Sequence, residues 1–374
     1  MHGHHHDSAA RKGPPYESVK GPPYESVKGP PYESVKGPPY ESVKGMSLRI
    51  GTSGWSYPSG DGRWNGVFYP ATRSKRAGTA GFDELRYYAE HFDTVEVNTT
   101  FYGQPRAEVT RGWVERTPAG FEFSLKLYQK FTHPKMFRAA ALESAPGAEG
   151  ALLDLLAQVT PSDVDDFRRG IAPLAEAGRL GALLAQFPPS FKNRPETRAY
   201  LAQLLRAFSD YPVAVELRHR SWSDAIGDTL EMLNACGAAW VQIDEPKFRF
   251  SIRQNYLPNV KSFYYMRLHG RNVANWWRHA KAEDRYDYLY SADELTEFAD
   301  AAGAAKELVR KSYLYTNNHF AAKSVVNAVM LKAQLGQPIA GEYPPELVSR
   351  YPEIGNLVVT SSEASPQTVE APPR

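Results

Sequence analysis

The chain has a single cysteine, Cys236, in 374 residues, and no apolar run long enough to cross a bilayer. A lone thiol excludes an intrachain disulfide and fits a reducing compartment. No stretch reads as the h-region of a signal peptide, so the sequence predicts a cytoplasmic protein without a membrane partner. Charge of one sign is also scarce. Lys and Arg number 44 against 42 acidic residues, a net +2 with histidines neutral. A nucleic-acid-binding surface would have to be a local patch. The chain also lacks a Gly-rich phosphate turn after an early strand, since Gly51–Gly54 (GTSG) matches none well. That disfavours a doubly wound dinucleotide fold, and no redox cofactor is expected.

What is present begins with a segment unlike the rest. Residues 1–45 hold His2, His4, His5 and His6, then four copies of GPPYESVK ending at Lys44. Two prolines and a glycine in each copy leave too little apolar surface to offset backbone ordering. Identical copies read as an engineered tag or a translated tandem repeat, so Met46 is expected to begin the folded part.

From there, short apolar runs alternate with stretches of helical spacing. Strands are predicted at 48–53, 94–98, 121–127, 180–186, 213–218, 238–244, 263–269 and 312–317. Helices are predicted at 81–92, 107–116, 196–208, 225–236 and 321–335. Two more are expected, one capped by Ser162 and one by Ser291. The stretch 136–161 is Ala/Gly-rich and reads as an insertion. The sixth connection holds Pro246 and Pro258 and no helical spacing, so irregularity is expected there. Eight strands alternating with six or seven helices predict an α/β protein: a single (β/α)₈ TIM-type barrel over 46–345, with a disordered tail at 346–374.

The strands turn polar where they end. Glu96 and Asn98 close the second strand, Ser124 and Lys126 the third, and Gln186 the fourth. Glu216 and Arg218 close the fifth, and Gln242 and Asp244 the sixth. Arg267 and His269 close the seventh, and Tyr315 and Asn317 the eighth. Residues two apart on a strand share a face, so these pairs are expected to point inward at the carboxyl-end mouth, where barrels place their sites. The competing interpretation is an interior ion-pair layer that only fills the barrel. Buried pairs of this kind rarely stabilise more than apolar residues would, so retaining so many favours a functional mouth.

Three chemistries suit the set. Lys126, Arg218 and Arg267, with Asn317, Asn318 and His319 on the last loop, would hold a small anion, and Asn98, Tyr102 and Gln186 complete the substrate-binding candidates. Glu96, Glu216 and Asp244 are the acid/base candidates, with His269 as an alternative. A Schiff base at Lys126 is the second option, although a strand lysine is more often an ion-pair partner. The third is a divalent metal held by Glu96, Glu216, Asp244, His269 and His319, for which no HxH or HExxH spacing exists. Loop aromatics such as Trp55, Tyr57, Trp64, Trp276 and Trp277 are expected to cover the mouth, where rings can also stack sugars or bases. His91 and His279 read as ordinary surface residues.

IGTSGWSY (50–57), FYP (68–70), ELRYYAEHFDTVEVNTTFYGQP (84–105), FEFSLKLYQKFTH (121–133), LLAQFPPSF (183–191), VAVELRHRSW (213–222), YMRLHG (265–270) and YTNNHF (315–320) together resemble the YecE-like family, the domain of unknown function numbered 72. The likeness covers about 48–335 and implies a (β/α)₈-type barrel. That barrel resembles the endonuclease-IV-like group, which implies nucleic-acid binding or processing as an alternative function. The trinuclear metal site of those nucleases needs more histidines than this mouth supplies. The leading expectation is an enzyme of lyase, isomerase or hydrolase type acting on a small anionic or polyhydroxylated substrate.

Overall fold

The computed structural model describes residues 47–71, 82–144, 157–254, 257–277 and 281–361. The repeat segment, His279, residues 145–156 of the 136–161 insertion and 362–374 lie outside the described residues. The strands are β1 (Ser47–Ser53), β2 (Thr94–Val97), β3 (Glu122–Lys126), β4 (Leu180–Gln186), β5 (Val213–Glu216), β6 (Ala239–Asp244), β7 (Phe263–Leu268) and β8 (Lys311–Thr316). They pair in chain order, all parallel, and β8 closes on β1. The expected barrel is present.

Helices Glu84–His91, Ala107–Glu115, Pro161–Glu176, Pro195–Ala207 and Ile226–Ala235 follow the first five strands. Ala292–Lys306 and Lys323–Gln334 follow β7 and β8. The β6–β7 link carries no helix among its described residues, as its prolines predicted. Asp83 starts the first helix by accepting from the amides of Leu85 and Arg86. The third helix is capped by Thr160 rather than Ser162. Thr160 and Asp163 form a reciprocal capping box, and Pro161 sits at the first turn, where its missing N–H is not needed. This helix crosses Ala107–Glu115 closely at Gly170, where a Cβ would stand 2.1 Å from the Pro105 carbonyl oxygen.

Two expectations are corrected. Residues 346–361 do not form a disordered tail: Pro345–Arg350 is a helix, and Leu347, Tyr351 and Ile354 are buried. Their apolar side chains recur at helical and turn spacing, enough to dock on the barrel despite the Pro/Glu content. Tyr351 donates to the Ala321 carbonyl at 2.7 Å. His91 is buried, its ring nitrogens 2.9 Å from the carbonyls of Tyr87 and Glu342. Among the described residues, no helix is long and apolar enough to cross a membrane.

Candidate functional site

The barrel interior carries polar side chains at every level from floor to mouth. At the amino-terminal end, Glu122 accepts from Lys311 at 2.8 Å and from the Tyr313 hydroxyl, with Arg49 at 3.3 Å. One layer up, the Tyr315 hydroxyl is hydrogen-bonded to Thr94 (2.7 Å) and Ser124 (3.0 Å). Above them lies Arg267, fully buried and inward-facing because β7 pairs it with Tyr315. Its Nε donates to Glu96 at 2.9 Å, its Nη2 to Glu96 at 2.6 Å, and its Nη1 to Glu216. Ser53 and Tyr265 also donate to Glu96.

Arg218 reaches Glu216 through Nη2 at 2.6 Å and Glu245 through Nη1 at 3.2 Å. Burial alone would raise the Glu216 carboxyl, but Arg267 and Arg218 outweigh it and hold the group well below the usual carboxylate range. His269 stands beside them, Nε2 3.4 Å from Glu216 and Nδ1 2.8 Å from the Asn317 amide nitrogen. Burial, only partly opposed by Glu216, pushes His269 down to about 3. It is a neutral imidazole at physiological pH.

Over this ion-pair layer opens a cavity of about 260 Å³. Its floor and walls include Arg267, Lys126, Asn98, Gln186, Asn317 and His319, and Trp55, Tyr57, Tyr102 and Tyr286 contribute rings. The side chains of Asn98 and Gln186 have no hydrogen-bond partner among the described residues. His319 is stacked on Tyr57 (centroids 4.3 Å apart) and faces Tyr286 at 4.9 Å. Its Nδ1 is buried without a partner, and burial lowers its pKa to about 4. Behind it, Ala321 and Ala322 both adopt left-handed backbone, φ 50° and 65°. Such conformations cost about 1–2 kcal/mol each for an L-residue and concentrate at functional sites. Here the Gly62 carbonyl and the Tyr351 hydroxyl hold the turn.

Lys126 ends β3 facing inward. Thr100 donates to the Lys126 carbonyl at 2.6 Å, which lays Phe101 against the amine, 4.0 Å from ring centroid to Nζ. Burial, and secondarily the Arg267 charge, push Lys126 down to about 7.

The sequence-derived set therefore divides. Asn98, Tyr102, Lys126, Gln186, Arg267, Asn317 and His319 line the cavity. Glu96, Glu216, Arg218 and His269 lie in the ion-pair layer and do not line it. Asp244 is elsewhere. β6 aligns Ile243, not Asp244, with inward-facing Arg267, so Asp244 points outward. There it binds Arg271 at 2.8 Å and accepts from Tyr290 at 2.7 Å. Gln242 shares that outward face. The inward residue at this strand end is Glu245, one position on, on the same face as Val241 and Ile243 and paired with Arg218. Asn318 also turns away, donating to the Tyr288 carbonyl and to Asn327, both at 2.7 Å. Tyr286 was not anticipated, because nothing in its local sequence marks it. Among the described residues no group of three or more His, Cys, Asp or Glu is placed to hold a metal.

A closed eight-stranded parallel barrel with a walled cavity over its carboxyl-end mouth places the chain among the (β/α)₈ barrel proteins. Residues 49–348 match the family described as "Protein of unknown function DUF72", and the chain belongs to that family. UPF0759 protein YunF from Bacillus subtilis (strain 168) is 26% identical over 315 residues, 80% of this chain and 99% of that protein. UPF0759 protein YecE from Escherichia coli (strain K12) is 32% identical over 156 residues, 41% of this chain and 48% of that protein. A crystal structure of a DUF72 family protein from Thermotoga maritima MSB8 superposes with a TM-score of 0.62 at 31% identity, covering 78% of this chain and 100% of that one.

Proposed function

We propose that this protein is an enzyme whose barrel mouth takes a small polyhydroxylated substrate carrying at most one negative charge, transformed by acid–base chemistry. One observation carries this reading: the cavity presents unpartnered amides and ring faces, while the guanidinium at its floor is already engaged by two carboxylates. Amides of Asn98 and Gln186 suit paired hydroxyls, and the rings of Trp55, Tyr102 and Tyr286 suit the C–H surfaces of a sugar-like molecule. Arg218 and Arg267 have their donors committed to carboxylates, so few are left to clamp a phosphate. Glu96 and Glu216 are saturated with donors beneath the cavity and act by fixing Arg267. Proton transfer falls to Lys126 and His319, which reach the cavity and are not committed to a carboxylate.

A nucleic-acid partner draws its affinity from cations that displace counterions. The mouth arginines are paired, which favours the small molecule. The test is a thermal-shift panel of aldoses, polyols, sugar acids, sugar phosphates and single- and double-stranded oligonucleotides. A ligand at ~100 times its dissociation constant adds about 2.7 kcal/mol of stability. Stabilisation by a sugar or sugar acid, lost in Gln186→Ala, is expected. Stabilisation by oligonucleotides alone, fading as salt rises, would overturn the reading.

A further inference from the structure

The cavity contains a cation that the fold leaves unanswered. Arg218 and Arg267 each contact two carboxylates, but Lys126 has no carboxylate within ion-pairing distance among the described residues. Its amine touches the Phe101 ring and otherwise faces the cavity. Arg267 lines the same small space and repels an ammonium there. Cation–π contact recovers only about 0.5–2 kcal/mol, less than a hydrogen-bonded ion pair in the same setting. A lysine so placed spends much of its time as the free amine. A free amine is a weak clamp for anions and a strong nucleophile toward carbonyl carbon. His319, unpartnered at Nδ1 in the same cavity, is available to relay protons.

We propose that Lys126 is a covalent catalytic residue whose amine captures the carbonyl carbon of a hydroxylated aldehyde or ketone as an imine. The proposal deepens the small-molecule reading of this cavity and rests on it. The Nζ lone pair forms the C–N bond while the carbonyl π pair moves to oxygen. The carbinolamine then expels that oxygen as water, which carries off the two amine protons, and the C=N bond remains. Burial supports the step by bringing the amine to a pKa of about 7, so that it is substantially neutral in a neutral solution.

The experiment traps the imine. The full chain is incubated with dihydroxyacetone and sodium cyanoborohydride, which delivers hydride to the imine carbon and leaves a secondary amine. Peptide mapping by mass spectrometry then compares Lys126 with the exposed Lys135 and Lys192. Lys126 is expected to be modified at least tenfold faster at pH 7.5, with its rate half-maximal near pH 7 and the surface lysines still rising above pH 9. Acetone, which lacks the hydroxyls, should label Lys126 more slowly than dihydroxyacetone does while labelling Lys135 and Lys192 at similar rates. Labelling of Lys126 no faster than of Lys135 and Lys192 overturns the proposal; if sugars still stabilise the protein, the reading of the cavity stands without it. Selective labelling without a thermal shift from any sugar or sugar acid retains the reactive lysine and overturns the polyhydroxylated substrate class.

Discussion

Arg267 on β7 reaches across β8 and β1 to grip Glu96 on β2, with Nε and Nη2 both within 2.9 Å of the carboxylate. The same guanidinium holds Glu216 on β5 through Nη1. One buried cation thus ties three strands together directly beneath the cavity.

Removing that cation leaves Glu96 without a cationic partner and Glu216 with Arg218 alone. Arg267→Met should cost about 3–5 kcal/mol, read from urea denaturation. The double variant Arg267→Met with Glu96→Leu should recover a good part of that loss, because it removes a stranded charge along with its partner. Additive losses in the two single variants and the double variant would show that the pair is not coupled.

His269 makes the fold acid-sensitive. Its folded pKa of about 3 lies below the ordinary value of 6.5, so the unfolded chain takes up a proton first as pH falls. Stability is therefore full above about pH 6.5 and declines toward pH 3. Glu216, also depressed in the folded protein, adds its loss below the ordinary carboxylate range. At pH 4.5 the histidine contribution is on the order of 2–3 kcal/mol. Melting temperature against pH should fall less steeply between pH 6.5 and 4.5 in His269→Gln than in the parent.

Asp244 separates stability from function. It is buried on the outer side of β6 against Arg271 and Tyr290. Asp244→Asn should lower stability by roughly 1–3 kcal/mol while leaving the affinity of any mouth ligand unchanged. Gln186→Ala should do the reverse, and isothermal titration with a ligand from the thermal-shift panel distinguishes the two.

Gly170 is a packing constraint. An added methyl would sit 2.1 Å from the backbone oxygen of Pro105, an atom that cannot swing aside as a side chain would. Gly170→Ala should cost at least about 1–3 kcal/mol through separation of the two helices. A thermal melt within a degree of the parent would refute that contact.

The alternation of strand and helix was legible because each element carries its own period and its own caps. Ser291 was readable as a local signal. Local spacing also placed Glu96, Lys126, Glu216 and Arg267 at strand ends facing inward, since side-chain direction follows from counting by twos. The count needs a starting residue. On β6 the sequence offers polar residues on both faces, Gln242 and Asp244 outward and Glu245 inward, and only the register with β5 and β7 decides between them. Which charges remain free is settled still later. Arg218, Arg267 and Lys126 look alike in the sequence, yet Glu216 and Glu245 engage Arg218, Glu96 and Glu216 reach Arg267 from distant strands, and Lys126 is left facing the cavity. That difference depends on distances across the closed barrel, which no local pattern of residues encodes.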